Sequence, residues 1–175
     1  IARPNGNIIL DIGGGTSDIA VLSLNGIVCK NSIKLAGDKF NEAIIRYVRS
    51  TYNILIGERM AENVKMSIAS VDPEAQDIPF DVKGRHLATG LPVRRTMHRS
   101  ELYASMLELV VEIRDAVHSV VERTPPELVG DLYSNGLVMT GGGSLLDGFP
   151  KYLSKELKMP VRVAENPVEC VAIGT

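Results

Sequence analysis

The chain opens on apolar runs too short for helices and separated by turn residues. Asn7–Ile12 ends in an aspartate and three glycines, and Ser17–Leu24 is a second such run. Asn25-Gly26 follows directly. Between apolar runs this pair predicts a hairpin, because both residues tolerate positive φ. Ile27–Ala36 is the expected returning strand, which makes an antiparallel three-strand meander. Gly37-Asp38 breaks the pattern, with Asp38 placed to cap a helix. Phe40, Ile44, Tyr47, Val48 and Thr51 then recur at helical spacing. A second helix is expected over Glu58–Ala69, with Ala61, Val64, Lys65 and Ile68 on one face.

From Ser70 to His98 the character changes to Asp, Pro and Gly with short alternating stretches, and Asp77–Lys83 with Pro92–His98 predicts a peripheral β-hairpin. Ser100 is expected to cap the longest helix, whose apolar stripe is Leu102, Met106, Leu109, Val110, Ile113, Val117, Val120 and Val121. Thr124-Pro125-Pro126-Glu127 reads as a capping box with proline at the first helical position, and Gly136 as that helix's end. Leu137–Thr140 is a buried strand, followed by Gly141-Gly142-Gly143. A helix near Lys151–Lys158, a strand at Val161–Ala164 and a helix capped by Asn166 with Pro167 complete the reading. This order predicts an α/β fold, a mixed sheet with helices on its faces.

Composition narrows the function classes. With 19 Lys+Arg against 21 Asp+Glu the formal net charge is −2, too near neutral to give a general field for nucleic acid. No window approaches the roughly 18 apolar residues that a membrane-spanning helix needs. Cys29 and Cys170 show no C-x-x-C spacing and are expected to be buried thiols in a reducing compartment. His86, His98 and His118 fall on different elements without ligand spacing. Arg94, Arg95, His98 and Arg99 form the basic cluster, and strand alternation divides it between two faces, as a solvated edge would be, with a lipid headgroup or partner contact as the alternative reading.

The chemistry concentrates in two glycine turns, each behind an apolar strand: Asp11-Ile12-Gly13-Gly14-Gly15-Thr16 and Thr140-Gly141-Gly142-Gly143-Ser144. Glycine lets the backbone approach a ligand closely, and successive free N–H groups form a concave anion site. Asp11 could hold a hydrated Mg²⁺, which keeps several waters and takes one or two carboxylates. Thr16 could bond a phosphate oxygen or position an attacking water. Taken singly, either loop is equally well a tight turn; the pair argues for a site. Neither loop reads G-x-x-x-x-G-K-[ST]. Neither reads G-x-G-x-x-G, since Asp18 and Leu146 occupy the third glycine's place.

Asp11–Ala20 (DIGGGTSDIA), Ala36-Gly37-Asp38, Asn53–Lys65 (NILIGERMAENVK), Thr89–Pro92 (TGLP), Glu122–Leu128 (ERTPPEL), Val138–Leu145 (VMTGGGSL) and Val171–Thr175 (VAIGT) together resemble MreB, the bacterial actin homologues. The resemblance is collinear over nearly the whole chain and covers the second half of an MreB. It implies that the first domain, with the membrane-binding segment, lies before Ile1. The fold it implies is the actin-like ATPase (ribonuclease H-like) domain, with a mixed five-stranded sheet and a small α+β insert. Residues 1–37 and 99–175 would form the larger subdomain and 38–98 the inserted one. By the same resemblance, Asp11 is the acid near the metal, Gly13, Gly14, Gly15 and Thr16 form a phosphate loop, and Thr16 takes part in hydrolysis. Gly141, Gly142 and Gly143 lie beside the adenosine and its phosphates. Glu62 and Lys65 approach adenine and ribose, although an exposed i, i+3 ion pair describes them equally well.

The implied cofactors are ATP/ADP and Mg²⁺, and the implied output is nucleotide-dependent filament assembly with slow hydrolysis by the full-length parent and essentially none by this chain alone. The implied partners are other copies of the chain and membrane-associated cell-shape and wall-synthesis proteins, at the cytoplasmic face of the cell membrane. An actin-like chaperone or sugar kinase, and an interaction module that uses no nucleotide, are the rival readings.

Overall fold

A computed structural model describes residues 6–24 and 26–164. The elements run β1 (Asn7–Ile12), β2 (Ser17–Ser23), β3 (Gly26–Ile33), α1 (Gly37–Tyr52), β4 (Ile54–Leu55), α2 (Glu58–Ile68), β5 (Pro79–His86), β6 (Pro92–His98), α3 (Tyr103–Glu122), α4 (Pro126–Asn135), β7 (Leu137–Thr140), α5 (Phe149–Leu157) and β8 (Val161–Val163). Short 3-10 turns at Arg99–Glu101 and Gly142–Leu145 precede α3 and α5. The chain divides into two compact units. One comprises Ile1–Gly37, Val110–Leu145 and Phe149–Thr175; the other is Asp38–Leu109 with Leu146–Gly148. The expected break after residue 98 therefore falls at 109, inside α3, and residues 146–148 belong to the second unit. There the Asp147 carbonyl accepts from the Val71 amide at 2.9 Å, and the Asp147 carboxylate from the Ser70 hydroxyl at 2.6 Å.

The first unit is built on the five-stranded mixed sheet, in the order β3-β2-β1-β7-β8. β1, β2 and β3 are the antiparallel meander, while β7 joins β1 in parallel and β8 joins β7 in parallel. Alternation works as strand geometry requires. Ile8, Leu10 and Ile12 of β1, Ile19 and Val21 of β2, and Leu137 and Met139 of β7 are buried. The helical part of this core comes from Val110, Ile113, Val117 and Val120 of α3, Leu132 of α4, and Phe149 and Leu153 of α5. The helix expected at Asn166, the Val171–Thr175 string, Cys170 and Asn25 lie outside the described residues.

In the second unit an antiparallel sheet, β4-β5-β6, carries α1 and α2. Ile54, Val82 and Met97 are its buried sheet positions, with Phe40, Ile44 and Val48 from α1 and Ala61, Val64 and Ile68 from α2. The two-residue strand β4 is too short to show an alternation in sequence, and β5 runs on to His86 because Ile54 pairs with it there.

Three helix starts differ from expectation. Ser100 does not cap α3. Its amide and hydroxyl donate to the two Asp77 carboxylate oxygens at 2.9 and 3.0 Å, so its bonding goes to a residue remote in sequence. The Thr124 capping box does not form either. The Thr124 hydroxyl donates back to the Val120 carbonyl at 2.9 Å, and Pro125 stands at the N-cap without a side-chain bond. α1 likewise begins at Gly37, with Asp38 inside its first turn, where a negative charge suits the helix N-terminus.

Candidate functional site

β1 ends in a turn that is tied down at its base. The Gly13 amide donates to the Thr16 carbonyl at 3.0 Å, the Gly13 carbonyl accepts from the Gly37 amide at 3.0 Å, and the buried Ser17 hydroxyl donates to the Leu35 carbonyl at 2.5 Å. Gly14, Gly15 and Thr16 are exposed above this base. The amides of Gly14 and Gly15 make no backbone hydrogen bond among the described residues. A fixed turn with outward amides is the arrangement that accepts an anion.

The second glycine turn reaches the first through the sheet. Parallel pairing sets Leu10 beside Met139 and Asp11 beside Thr140, so both strands deliver their turns to the same edge, outside their carboxyl ends, where open α/β sheets bind ligands. The approach is closer than any side chain allows. At Gly141, whose φ is +84°, a Cβ would fall 2.3 Å from the Ile12 carbonyl oxygen and 2.7 Å from Asp11 Oδ1. At Gly143 it would fall 2.2 Å from Ile12 Cγ2, whereas at Gly15 and Gly142 it would meet nothing within 4 Å. The buried Ser144 hydroxyl donates to the Gly141 carbonyl at 2.6 Å and holds the turn closed. Gly141 and Gly143 are thus packing glycines, and Gly15 and Gly142 are open ones.

Asp11 lies at the bottom of this arrangement. Its Oδ1 is buried and has no hydrogen-bond partner among the described residues. Burial, and then the neighbouring negative charge of Asp18, hold its carboxyl above the usual carboxylate range. Asp18 faces Asp11 across the β1–β2 ladder and accepts from the Thr16 hydroxyl at 3.3 Å. Its part in the site was missed in sequence, although Asp11 and Ile12 before the glycine turn mirror Ser17 and Asp18 after it. A buried carboxylate oxygen without a partner among the described residues, beside a second acid and two open amide turns, fits a hydrated divalent cation. Among the described residues no group of three or more metal-ligating side chains forms, so a cage made wholly of protein is not part of this fit.

Glu62 and Lys65 belong to the other unit, on α2. Lys65 Nζ lies 2.9 Å from Glu62 Oε2, and the same oxygen accepts from Asn41 Nδ2 at 2.8 Å. The Asn41 bond, opposed by burial and aided by Lys65, holds the Glu62 carboxyl below the usual range. The pair is therefore more than an exposed ion pair. Asn41 was also missed in sequence, yet a signal was present: it sits three and seven residues before Ile44 and Val48, on the buried stripe of α1.

The remaining signals have local explanations. His86 Nδ1 accepts from the Ala88 amide, His98 lies near Glu101 of the following 3-10 turn, and His118 lies near Glu122 on α3. Arg95 stands 4.7 Å over the Tyr52 ring, and Arg99 donates to the carbonyls of Ile68 and Gln76, so two members of the basic cluster do more than meet solvent. Cys29 is half-buried rather than buried, with its thiol donating to the Arg123 carbonyl at 3.4 Å.

Comparison with known proteins adds four findings. A family model described as MreB/Mbl protein matches residues 1–175. The chain is 49% identical to the cell shape-determining protein Mbl of Bacillus subtilis (strain 168), an alignment covering 100% of this chain and 53% of that one. The crystal structure of MreB 5 of Spiroplasma citri bound to AMPPNP superposes with a TM-score of 0.93 at 38% identity, over 98% of this chain and 51% of that one. A MamK double helical filament, at 22% identity and a TM-score of 0.77, shares the actin-like fold. The chain spans about half the length of the curated relatives it matches.

Proposed function

The chain belongs to the MreB/Mbl family, and from that premise we propose that it is the part of an actin-like, cell-shape-determining protein that takes hold of ATP or ADP with Mg²⁺. The observation that carries this is the convergence of the two glycine turns over Asp11, with Gly141 and Gly143 packed against Ile12 too closely for any side chain. The nucleotide found with the Spiroplasma citri relative supports it.

Each residue then has a separate task. The amides of Gly14 and Gly15, with those of Gly142 and Gly143, receive phosphate oxygens, and Gly13, its own amide bonded to the Thr16 carbonyl, fixes the turn that presents them. Asp11 holds Mg²⁺ through water, and Asp18 keeps the Thr16 hydroxyl oriented for a phosphate oxygen or a water. Bound Mg²⁺ supplies positive charge that offsets the charge of the phosphates. Glu62 and Lys65 serve the nucleoside end. Hydrolysis is positioning and electrostatics, with no covalent intermediate on the protein. Filament assembly, contact with cell-shape and wall-synthesis proteins, and a place at the cytoplasmic face of the membrane complete the proposal.

The test is sedimentation of the full-length gene product with ATP and Mg²⁺. The native protein is expected to pellet and the Asp11→Ala variant to stay in the supernatant. If both pellet equally, nucleotide plays no part in assembly and the interaction-module reading replaces this one. The 175-residue chain alone is expected to release essentially no phosphate from ATP.

A further inference from the structure

Asn41 carries a feature that a packing role does not explain. It is 5% exposed, in the first turns of α1, and its amide faces the Glu62 carboxylate. The orientation of that amide is not free. Turned over, its oxygen would meet Glu62 Oε2, acceptor against acceptor, so Nδ2 must point at Glu62. The price is a buried Asn41 Oδ1 with no partner among the described residues. A serine or an apolar residue here would avoid that cost.

Both bonds to Glu62, from Asn41 and from Lys65, land on Oε2. The carboxylate is thereby fixed, and Oε1 takes part in neither bond, on a side chain that is 44% exposed. A carboxylate can only accept. What it recognises must donate, and on a nucleoside the donors are the ribose hydroxyls and the exocyclic amine of adenine.

We propose that Asn41 is a positioning residue for nucleotide recognition: by holding Oε2 it presents Glu62 Oε1 to a hydrogen-bond donor on the nucleoside. This rests on the nucleotide reading above and adds to it a residue and a chemical class of contact. Asn41 touches no ligand in this scheme and acts through Glu62.

The experiment is a set of binding titrations of the full-length gene product with ATP, 2′-deoxy-ATP, 3′-deoxy-ATP and ITP, for native protein, Asn41→Asp and Asn41→Ala. The native protein should prefer ATP over whichever analogue lacks the donor that Glu62 reads, and the analogue identifies that donor. Both variants should lose about tenfold in ATP affinity, the equivalent of one hydrogen bond to a charged group. They should lose little toward the analogue, so that discrimination collapses. Asn41→Asp keeps the shape but puts a second acid beside Glu62. Its ATP affinity should recover as the pH falls and the pair takes up a shared proton, because a protonated aspartate again donates to Oε2. Asn41→Ala should show no such recovery, and its Glu62 carboxyl should titrate higher by carbon NMR. Folded variants whose analogue ratios and Glu62 titration match the native protein would overturn the role of Asn41 and leave the nucleotide site standing. A native protein that binds none of these nucleotides would remove both.

Discussion

Asp11 and Glu62 are both acids at proposed ligand positions, and their surroundings push them in opposite directions. Asp11 lies buried near the end of β1 beside Asp18, with one oxygen lacking a partner among the described residues, and its carboxyl is pushed up. Glu62 is bonded by Asn41 and Lys65, and its carboxyl is pushed down. Folding therefore works against a charged Asp11 and works with a charged Glu62. The first is a place where the fold accepts a cost that a cation would relieve. The second is an acceptor already prepared before any ligand arrives.

The largest expected break of this contrast lies in the turns above Asp11. Gly143→Ala should cost about 1–3 kcal/mol in urea unfolding, because the new methyl overlaps Ile12. Gly15→Ala has open space and should stay within about 0.5 kcal/mol, yet weaken nucleotide binding. Equal costs at the two positions would remove the distinction between packing and open glycines.

Next in size is Asp11→Asn, read as thermal unfolding without ligand. The raised carboxyl means that the stabilising effect of a protonated Asp11 is fully present at acid pH and is lost as pH rises through its folded pKa. At neutral pH the variant should therefore melt higher than the native protein, with about 2–4 °C standing for each kcal/mol at this chain length, and the gap should close in acid. The same variant should lose any melting shift that ATP with Mg²⁺ produces. A variant less stable at pH 7 would show that Asp11 bears no uncompensated charge.

The smallest effect belongs to Glu62→Gln. The lowered carboxyl contributes stability above the usual glutamate range, and that contribution is lost as pH falls through its folded pKa. At neutral pH the variant should be less stable by no more than about 1 kcal/mol, since the side chain is half-exposed and screened. The difference should shrink in acid together with the one for Asp11→Asn, from the opposite sign.

Local pattern was enough for most elements. The apolar spacing of Phe40, Ile44 and Val48, the alternation in β1, and Gly136 as a helix stop depend on neighbours within a few residues, and they stand in the structure as the sequence implies. Where reading failed, the polar groups had distant partners. Ser100 looked like a cap because a helix follows it, but Asp77 takes both of its donors. Thr124 resembles a capping box, but its hydroxyl turns back to Val120. Asn41 looked like one polar residue among others until α2 placed Glu62 against it.

By itself the sequence determined the two glycine turns, the strands that lead into them, the stripe of each helix and the family to which these strings belong. Only the tertiary structure decided that the turns meet, that Gly141 and Gly143 are the ones with no room, and that one acid keeps a buried oxygen without a partner among the described residues while another is held by two. The reason is one of range. Turn chemistry and periodicity act over a few residues, whereas the β1–β7 register and the α1–α2 contact are set by packing between segments far apart in the chain.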